Sequence, residues 1–166
     1  MMRSSVTFVG AALVMALAGC SSSNNAGPDL GAFEGTWTPT AVTETVSCTG
    51  NPSETNPVTA TLTFAQSATN SSDLVVSNNA SSCTFTATVS GSSATVASGA
   101  TCTTTGTTST GVAETVNSTV TSYTFAVNSS DTTATITGAG SANVIENGTT
   151  TACTYQETGT FTKSTN

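Results

Sequence analysis

Apolar and polar side chains alternate with a repeat of two residues along most of the chain beyond residue 33. The repeat is clearest at Val58, Ala60, Leu62, Phe64 and at Cys83, Phe85, Ala87, Val89, where threonines occupy the positions between. Successive side chains of a strand point to opposite faces, and threonine favours strands because it is branched at Cβ. The pattern predicts an antiparallel sheet with one apolar face and one threonine-covered face in water.

Turn-forming residues divide this region into about eight predicted strands. They cover residues 36–48, 58–66, 74–77, 83–89, 94–102, 116–127, 132–139 and 150–162. Their short spacing predicts an all-β, up-and-down antiparallel meander. The threonine-rich, low-complexity segment 103–111 is expected to be a mobile loop.

The first 20 residues follow another pattern. Arg3 precedes an apolar run over residues 6–17, and Leu17-Ala18-Gly19-Cys20 ends the segment. A positive charge, an apolar stretch and small residues before a cleavage point are typical of a secretory signal peptide. The apolar run is too short for a plain transmembrane anchor, since a spanning helix needs about 20 residues.

The tetrapeptide at residues 17–20 resembles the lipobox of bacterial lipoproteins. That resemblance implies cleavage before Cys20 and attachment of diacylglycerol and acyl chains such as palmitate, which would anchor the protein to a membrane. Ser21 replaces the aspartate that retains such proteins in the inner membrane, so the resemblance implies the outer membrane. The open alternative is a soluble exported protein in which Cys20 is unmodified.

Three segments follow from these patterns. Residues 1–19 are the predicted signal peptide, residues 20–32 are a lipid-anchored flexible tether, and residues 33–166 form one β-barrel or β-sandwich domain. A single domain agrees with the chain length of 166 residues.

The four cysteines after Cys20 predict two disulfides, because exported proteins mature in an oxidising compartment. In the meander, Cys83 lies opposite Cys102, and Cys48 pairs with Cys153 across the first and last strands. The second bond would join those strands and close the sheet into a barrel. Pairing Cys48 with Cys83 and Cys102 with Cys153 remains an alternative.

Charge excludes one class of partner. After removal of Arg3, Lys163 is the only basic residue, against nine carboxylates. Nucleic acid binding needs several Lys or Arg residues on the phosphates, so we expect no nucleic acid partner.

The sequence has few residues suited to catalysis, and we expect no enzymatic activity, no cofactor and no metal site. The chain has no histidine to act as a base or a zinc ligand. The disulfide register places Glu44 opposite Glu157, where two carboxylates could act as a glycosidase pair or hold a cation. The simpler alternative is that they lie in water at the mouth of a barrel.

Gly35-Thr36-Trp37, at the start of the first strand, resembles the Gly-x-Trp motif that begins the barrel of lipocalins and related proteins. The resemblance implies a small up-and-down barrel with Trp37 packed across its closed end. No later arginine exists to cover that tryptophan ring.

We therefore expect a lipid-anchored, non-enzymatic binding domain for a small apolar or amphipathic ligand. The alternative function is a surface-displayed structural or adhesive domain with a filled core and no ligand. The candidate ligand contacts are the inward aromatic and acidic residues Trp37, Glu44, Phe64, Phe85, Tyr123, Phe125, Tyr155 and Glu157.

Overall fold

The alternating segments form strands throughout the part of the chain that the structure describes. The structure is a computed structural model and describes residues 28–108 and 110–164. The predicted signal peptide, lipobox and lipidated Cys20 lie outside these residues. Within them, no helix has the length and apolar character needed to cross a membrane.

Ten antiparallel strands make one sheet, in agreement with the predicted all-β meander. They are β1 (Gly35–Cys48), β2 (Glu54–Pro57), β3 (Leu62–Gln66), β4 (Asp73–Asn78), β5 (Thr84–Ser90), β6 (Ser93–Val96), β7 (Thr101–Thr107), β8 (Ala113–Val127), β9 (Thr133–Glu146) and β10 (Thr149–Lys163).

The strand pairings return to their starting point. Eight strands complete the circuit in the order β1, β3, β4, β5, β6, β8, β9, β10, and β10 pairs again with β1. The two remaining strands, β2 and β7, pair with β1 and β8. The first and last strands therefore have a neighbour on each side, and neither is a free edge.

Ten segments replace the expected eight for two reasons. Residues 54–57 form an additional short strand, β2, before the predicted strand at residues 58–66, which begins only at Leu62, and the predicted strand at residues 94–102 is interrupted. Residues 58–61 separate β2 from β3, beside a bulge in β1 at Thr40. Residues 97–100 separate β6 from β7, beside a bulge in β8 at Thr121. A bulge adds a residue to one strand, so the neighbouring strand loses its ladder at that level.

The prediction of a mobile loop at residues 103–111 is wrong for residues 103–107. Residues 101–107 form β7, which pairs with residues 113–119 of β8. Threonine is a strand former, and the neighbouring strand offers a free hydrogen-bonding edge. Low complexity therefore did not prevent regular structure.

The bulges keep the apolar side chains of each long strand on one face. Trp37 and Val42 are both buried, although they are five residues apart and strict alternation would separate them. Val120 and Phe125 in β8 show the same shift. Each bulge thus corrects the two-residue repeat by one position.

Both predicted disulfides form. Cys48–Cys153 joins β1 to β10 with a Cα–Cα distance of 4.0 Å, and Cys83–Cys102 joins the start of β5 to β7 with 5.8 Å. Their sequence separations are 105 and 19 residues. On a chain-entropy estimate they stabilise the fold by about 4–5 and about 3 kcal/mol, and the first one fixes the register of β1 on β10.

Candidate functional site

Aromatic side chains fill one end of the interior. Phe125 is at the centre, with its ring 5.0 Å from that of Trp37, 4.6 Å from that of Phe64 and 5.8 Å from that of Phe161. All four side chains are almost completely buried. The four rings therefore belong to the packed core.

The chain before β1 covers the same end. Leu30 and Phe33 are buried in the core, so the last residues of the segment predicted as a tether pack against the domain. The Trp37 indole N–H donates a 2.7 Å hydrogen bond to the Phe33 carbonyl. Lys163 Nζ lies 5.4 Å from the centre of the Trp37 ring and donates 3.0 Å bonds to the carbonyls of residues 31 and 32.

Lys163 thus covers the Trp37 ring, although the sequence has no late arginine for that place. A cation over an aromatic face is attracted by the ring quadrupole. Sequence reasoning could not find this contact, because the bulge at Thr40 shifts the register by one residue and brings Trp37 opposite Lys163.

Another part of the interior holds a cavity of about 230 Å³. Its lining is mainly apolar and comes from seven strands and their connections: Val58, Ala60, Leu62, Val76, Ser77, Asn78, Ser81, Cys83, Phe85, Val96, Cys102, Thr104, Ser118, Val120, Tyr123, Tyr155, Glu157 and Phe161. Phe161 belongs to both regions and separates the cavity from the aromatic cluster. The Cys83–Cys102 disulfide forms part of the wall.

One row of side chains crosses the cavity wall at right angles to the strands. Cross-strand pairing aligns Glu44 of β1 with Glu157 of β10, Glu157 with Gly138 of β9, and Gly138 with Tyr123 of β8. A Cβ atom at Gly138 would lie 2.9 Å from Tyr123 Cδ2. The missing side chain therefore lets the Tyr123 ring lie across β9 towards Glu157.

The next row repeats the arrangement. Tyr155 pairs with Val46 on one side and with Gly140 on the other. A Cβ atom at Gly140 would collide with the Tyr155 hydroxyl group and the Thr119 carbonyl. The two glycines thus make room for two tyrosine rings beside the carboxylates.

The pKa values of the glutamate and tyrosine side chains in these rows are raised. Burial, followed by the negative charge of Glu44, raises the pKa of Glu157 to about 7. Burial also raises the pKa of Glu44 above 4.5. Burial and the charge of Glu157 hold the pKa of Tyr123 well above 10, and burial and the charge of Glu44 raise the pKa of Tyr155. Each shift favours the uncharged form, because the wall is shielded from water.

A second pair of glutamates lies on the same wall, nearer its end. Glu114 of β8 pairs with Glu146 of β9. Burial, a hydrogen bond to Glu146 and the charge of Glu146 raise the pKa of Glu114. Neither residue lines the cavity.

The predicted ligand contacts divide between the two regions. Phe85, Tyr123, Tyr155 and Glu157 line the cavity, and Glu44 stands beside Glu157 in the row. The other three, Trp37, Phe64 and Phe125, belong to the filled aromatic end. Sequence reasoning missed Val76, Val96 and Val120, which share the apolar alternation but had no feature that distinguished them from core residues.

No group of three or more potential metal-ligating side chains (His, Cys, Asp or Glu) occurs among residues 28–108 and 110–164. The four cysteines of this part are all in disulfides and provide no thiol nucleophile. The arrangement is suited to enclosing a small molecule by apolar contact and one polar row.

Comparison with protein-family models, with curated proteins and with solved structures finds no match to this chain.

The acidity of Glu157 predicts how stability depends on pH. Folded Glu157 keeps its proton up to about pH 7, whereas the unfolded side chain loses it near pH 4.5. The free energy of unfolding should therefore fall as pH rises from 4.5 to 7, by on the order of 3 kcal/mol, and then level off. Glu157→Gln should remove most of this slope and give a variant more stable than the parent at pH 8 but not at pH 4.

Urea unfolding at pH 4, 6 and 8 measures the effect. Glu34→Gln, at an exposed glutamate, is the matched control and should keep the parental slope. An equal slope in the parent and in Glu157→Gln would contradict the prediction.

Proposed function

We propose that the closed circuit of strands forms a small lipocalin-like barrel that binds one small apolar or amphipathic molecule and catalyses no reaction. The observation that carries the proposal is the cavity of about 230 Å³, whose mainly apolar lining includes one row of polar groups. Ligand sites commonly combine an apolar wall with a few polar groups that orient the ligand.

Two features support the barrel. The pairing of β1 with β10 leaves no free edge in the circuit, which is the condition for closure. Trp37 lies across one end with Lys163 over its ring, in the place where the Gly-x-Trp resemblance expects a covered tryptophan.

The cavity volume limits the size of the ligand. An engineered apolar cavity of about 150 Å³ accommodates benzene. A cavity of about 230 Å³ therefore suits an aromatic ring with a short side arm, or an aliphatic chain of similar bulk. Long-chain lipids exceed this volume.

The rival function, a structural or adhesive domain, needs a filled interior. The aromatic end meets that condition, but the region around Phe85, Tyr123 and Tyr155 does not. A binding measurement on the cavity separates the two functions.

We further propose that Cys20 anchors the domain to the outer membrane, where it would face the periplasm or the cell surface. The support is the resemblance of residues 17–20 to a lipobox and the serine that follows. Two or three acyl chains would give stable attachment, whereas a single chain binds only reversibly.

Filling the cavity should abolish ligand binding. The probe is 2-phenylethanol, which matches the volume, and binding is followed by NMR shifts of the ring resonances of Phe85, Tyr123 and Tyr155. We expect saturable binding with a dissociation constant on the order of 1 mM or tighter. Ala60→Phe, at a cavity-lining residue in an irregular connection, should weaken it at least ten-fold.

Thr59→Phe is the matched control, because Thr59 is the exposed neighbour of Ala60 and does not line the cavity. It should bind the probe as the parent does. Absence of saturable shifts in the parent would overturn the binding function and favour the structural one.

Lipid attachment is tested by intact mass in a bacterial host that processes lipoproteins. The parent should begin at Cys20, carry the mass of a diacylglycerol and an acyl chain, and partition into the detergent phase. Cys20→Ser should lose both properties, and Ser21→Ala should keep the lipid. An unmodified parent that remains in the aqueous phase would contradict the anchor.

A further inference from the structure

The polar side chains of the row are glutamates and tyrosines, which offer oxygen atoms as hydrogen-bond acceptors. No positively charged side chain belongs to the row. Glu157, Tyr123 and Tyr155 line the cavity, and none of their side chains makes a hydrogen bond or an ion pair with another described residue. No fully enclosed side-chain polar atom in this part of the chain lacks a partner. The side-chain oxygens of these three cavity-lining residues are therefore not fully enclosed by protein.

Within residues 28–108 and 110–164, no basic side chain lies beside these carboxylates. Lys163 is the only basic residue in the described part of the chain, and it is bonded to the carbonyls of residues 31 and 32 over the Trp37 ring. That ring belongs to the filled end. Two adjacent, half-buried carboxylates without a counter-charge repel each other when both are ionised.

A metal ion is a poor candidate for the missing charge. Calcium takes six to eight oxygen ligands, and this row offers two carboxylates and two neutral phenols. The remaining lining is mainly apolar, with Val76, Phe85 and Val120 in it, and its other polar residues (Ser77, Asn78, Ser81, Thr104 and Ser118) are uncharged. An organic cation with an apolar body fits both parts, and the tyrosine rings add cation–π attraction.

We propose that the cavity selects a small amphipathic amine, whose ammonium group lies against Glu157 between the rings of Tyr123 and Tyr155 and whose apolar body contacts Val76, Phe85 and Val120. This inference rests on the proposed binding function and specifies its ligand class. Glu44 contributes a second negative charge from behind Glu157.

The titratable groups around Glu157 are known from each neighbouring strand. They are Glu44 on β1, Tyr155 on β10 and Tyr123 on β8. The residue of β9 opposite Glu157 is Gly138, which has no side chain to titrate. On the other side of β1, β2 places Asn56 beside Glu44 and the exposed Glu54 beside Val46. None of these groups is cationic.

The expected pH dependence follows from this set. An ammonium group interacts with ionised Glu157, so below about pH 7 binding must first remove a proton from that carboxyl group. Amine affinity should therefore fall as pH decreases from 8 to 5.5, by up to ten-fold per unit. A neutral ligand of the same shape should show little change, and a carboxylate should bind more weakly as pH rises.

The experiment compares 2-phenylethylamine, 2-phenylethanol and phenylacetate, followed by NMR shifts of the cavity rings in the purified protein. At pH 8 we expect the amine to bind at least ten-fold more tightly than the alcohol, and phenylacetate to bind more weakly than both. At pH 5.5 the preference for the amine should shrink to less than three-fold. Glu157→Gln should abolish the preference by weakening amine binding, whereas Glu34→Gln should leave the binding of the amine and of the alcohol unchanged.

The outcomes separate this inference from the function on which it rests. Equal binding of the amine and the alcohol at pH 8, or an amine preference that survives in Glu157→Gln, would overturn the amine and leave the binding function standing. Absence of binding by all three probes would overturn the binding function itself.

Discussion

The pairing of β1 with β10 is the constraint on which the rest of the structure depends. It closes the circuit of strands, and the Cys48–Cys153 bond fixes its register. That register places Glu44 against Glu157 and Trp37 against Lys163. The same ladder thus creates an unfavourable contact between two carboxylates at one level and a favourable cation–aromatic contact at another. The disulfide, with an estimated stabilisation of about 4–5 kcal/mol, is large enough to hold the unfavourable contact in place.

The interior has two regions that differ in the size of their side chains, a packed aromatic end and a cavity. Four large rings around Phe125 fill one end, whereas the row at Gly138 and Gly140 has no side chain on β9. The tyrosine rings lie over these glycines instead of filling the centre. Few large residues are available in this chain, and their concentration at one end leaves the cavity at the other.

Much of this fold can be predicted from the sequence, because apolar and polar side chains alternate with a repeat of two residues. Alternation with threonine assigned the faces, and the parity of the cysteines predicted both disulfides and the opposition of Glu44 and Glu157. The bulges at Thr40 and Thr121 could not be predicted, because threonine is common throughout and carries no local bulge signal. Three lining valines were missed for a related reason: Val76, Val96 and Val120 differ from core valines only in the residues that lie opposite them. The division of the candidate contacts between filled and open regions needed the three-dimensional register.

The central claim is that a half-buried carboxylate pair without a counter-charge, Glu44 and Glu157, lies at the wall of a mainly apolar cavity. Site-specific ¹³C NMR titration of the Glu44 and Glu157 side-chain carboxyl groups in the unliganded protein tests it most directly. The account predicts a midpoint near pH 7 for Glu157 and one above 4.5 for Glu44. Ordinary midpoints near 4.5 for both groups would show that water solvates the pair, and would contradict the account.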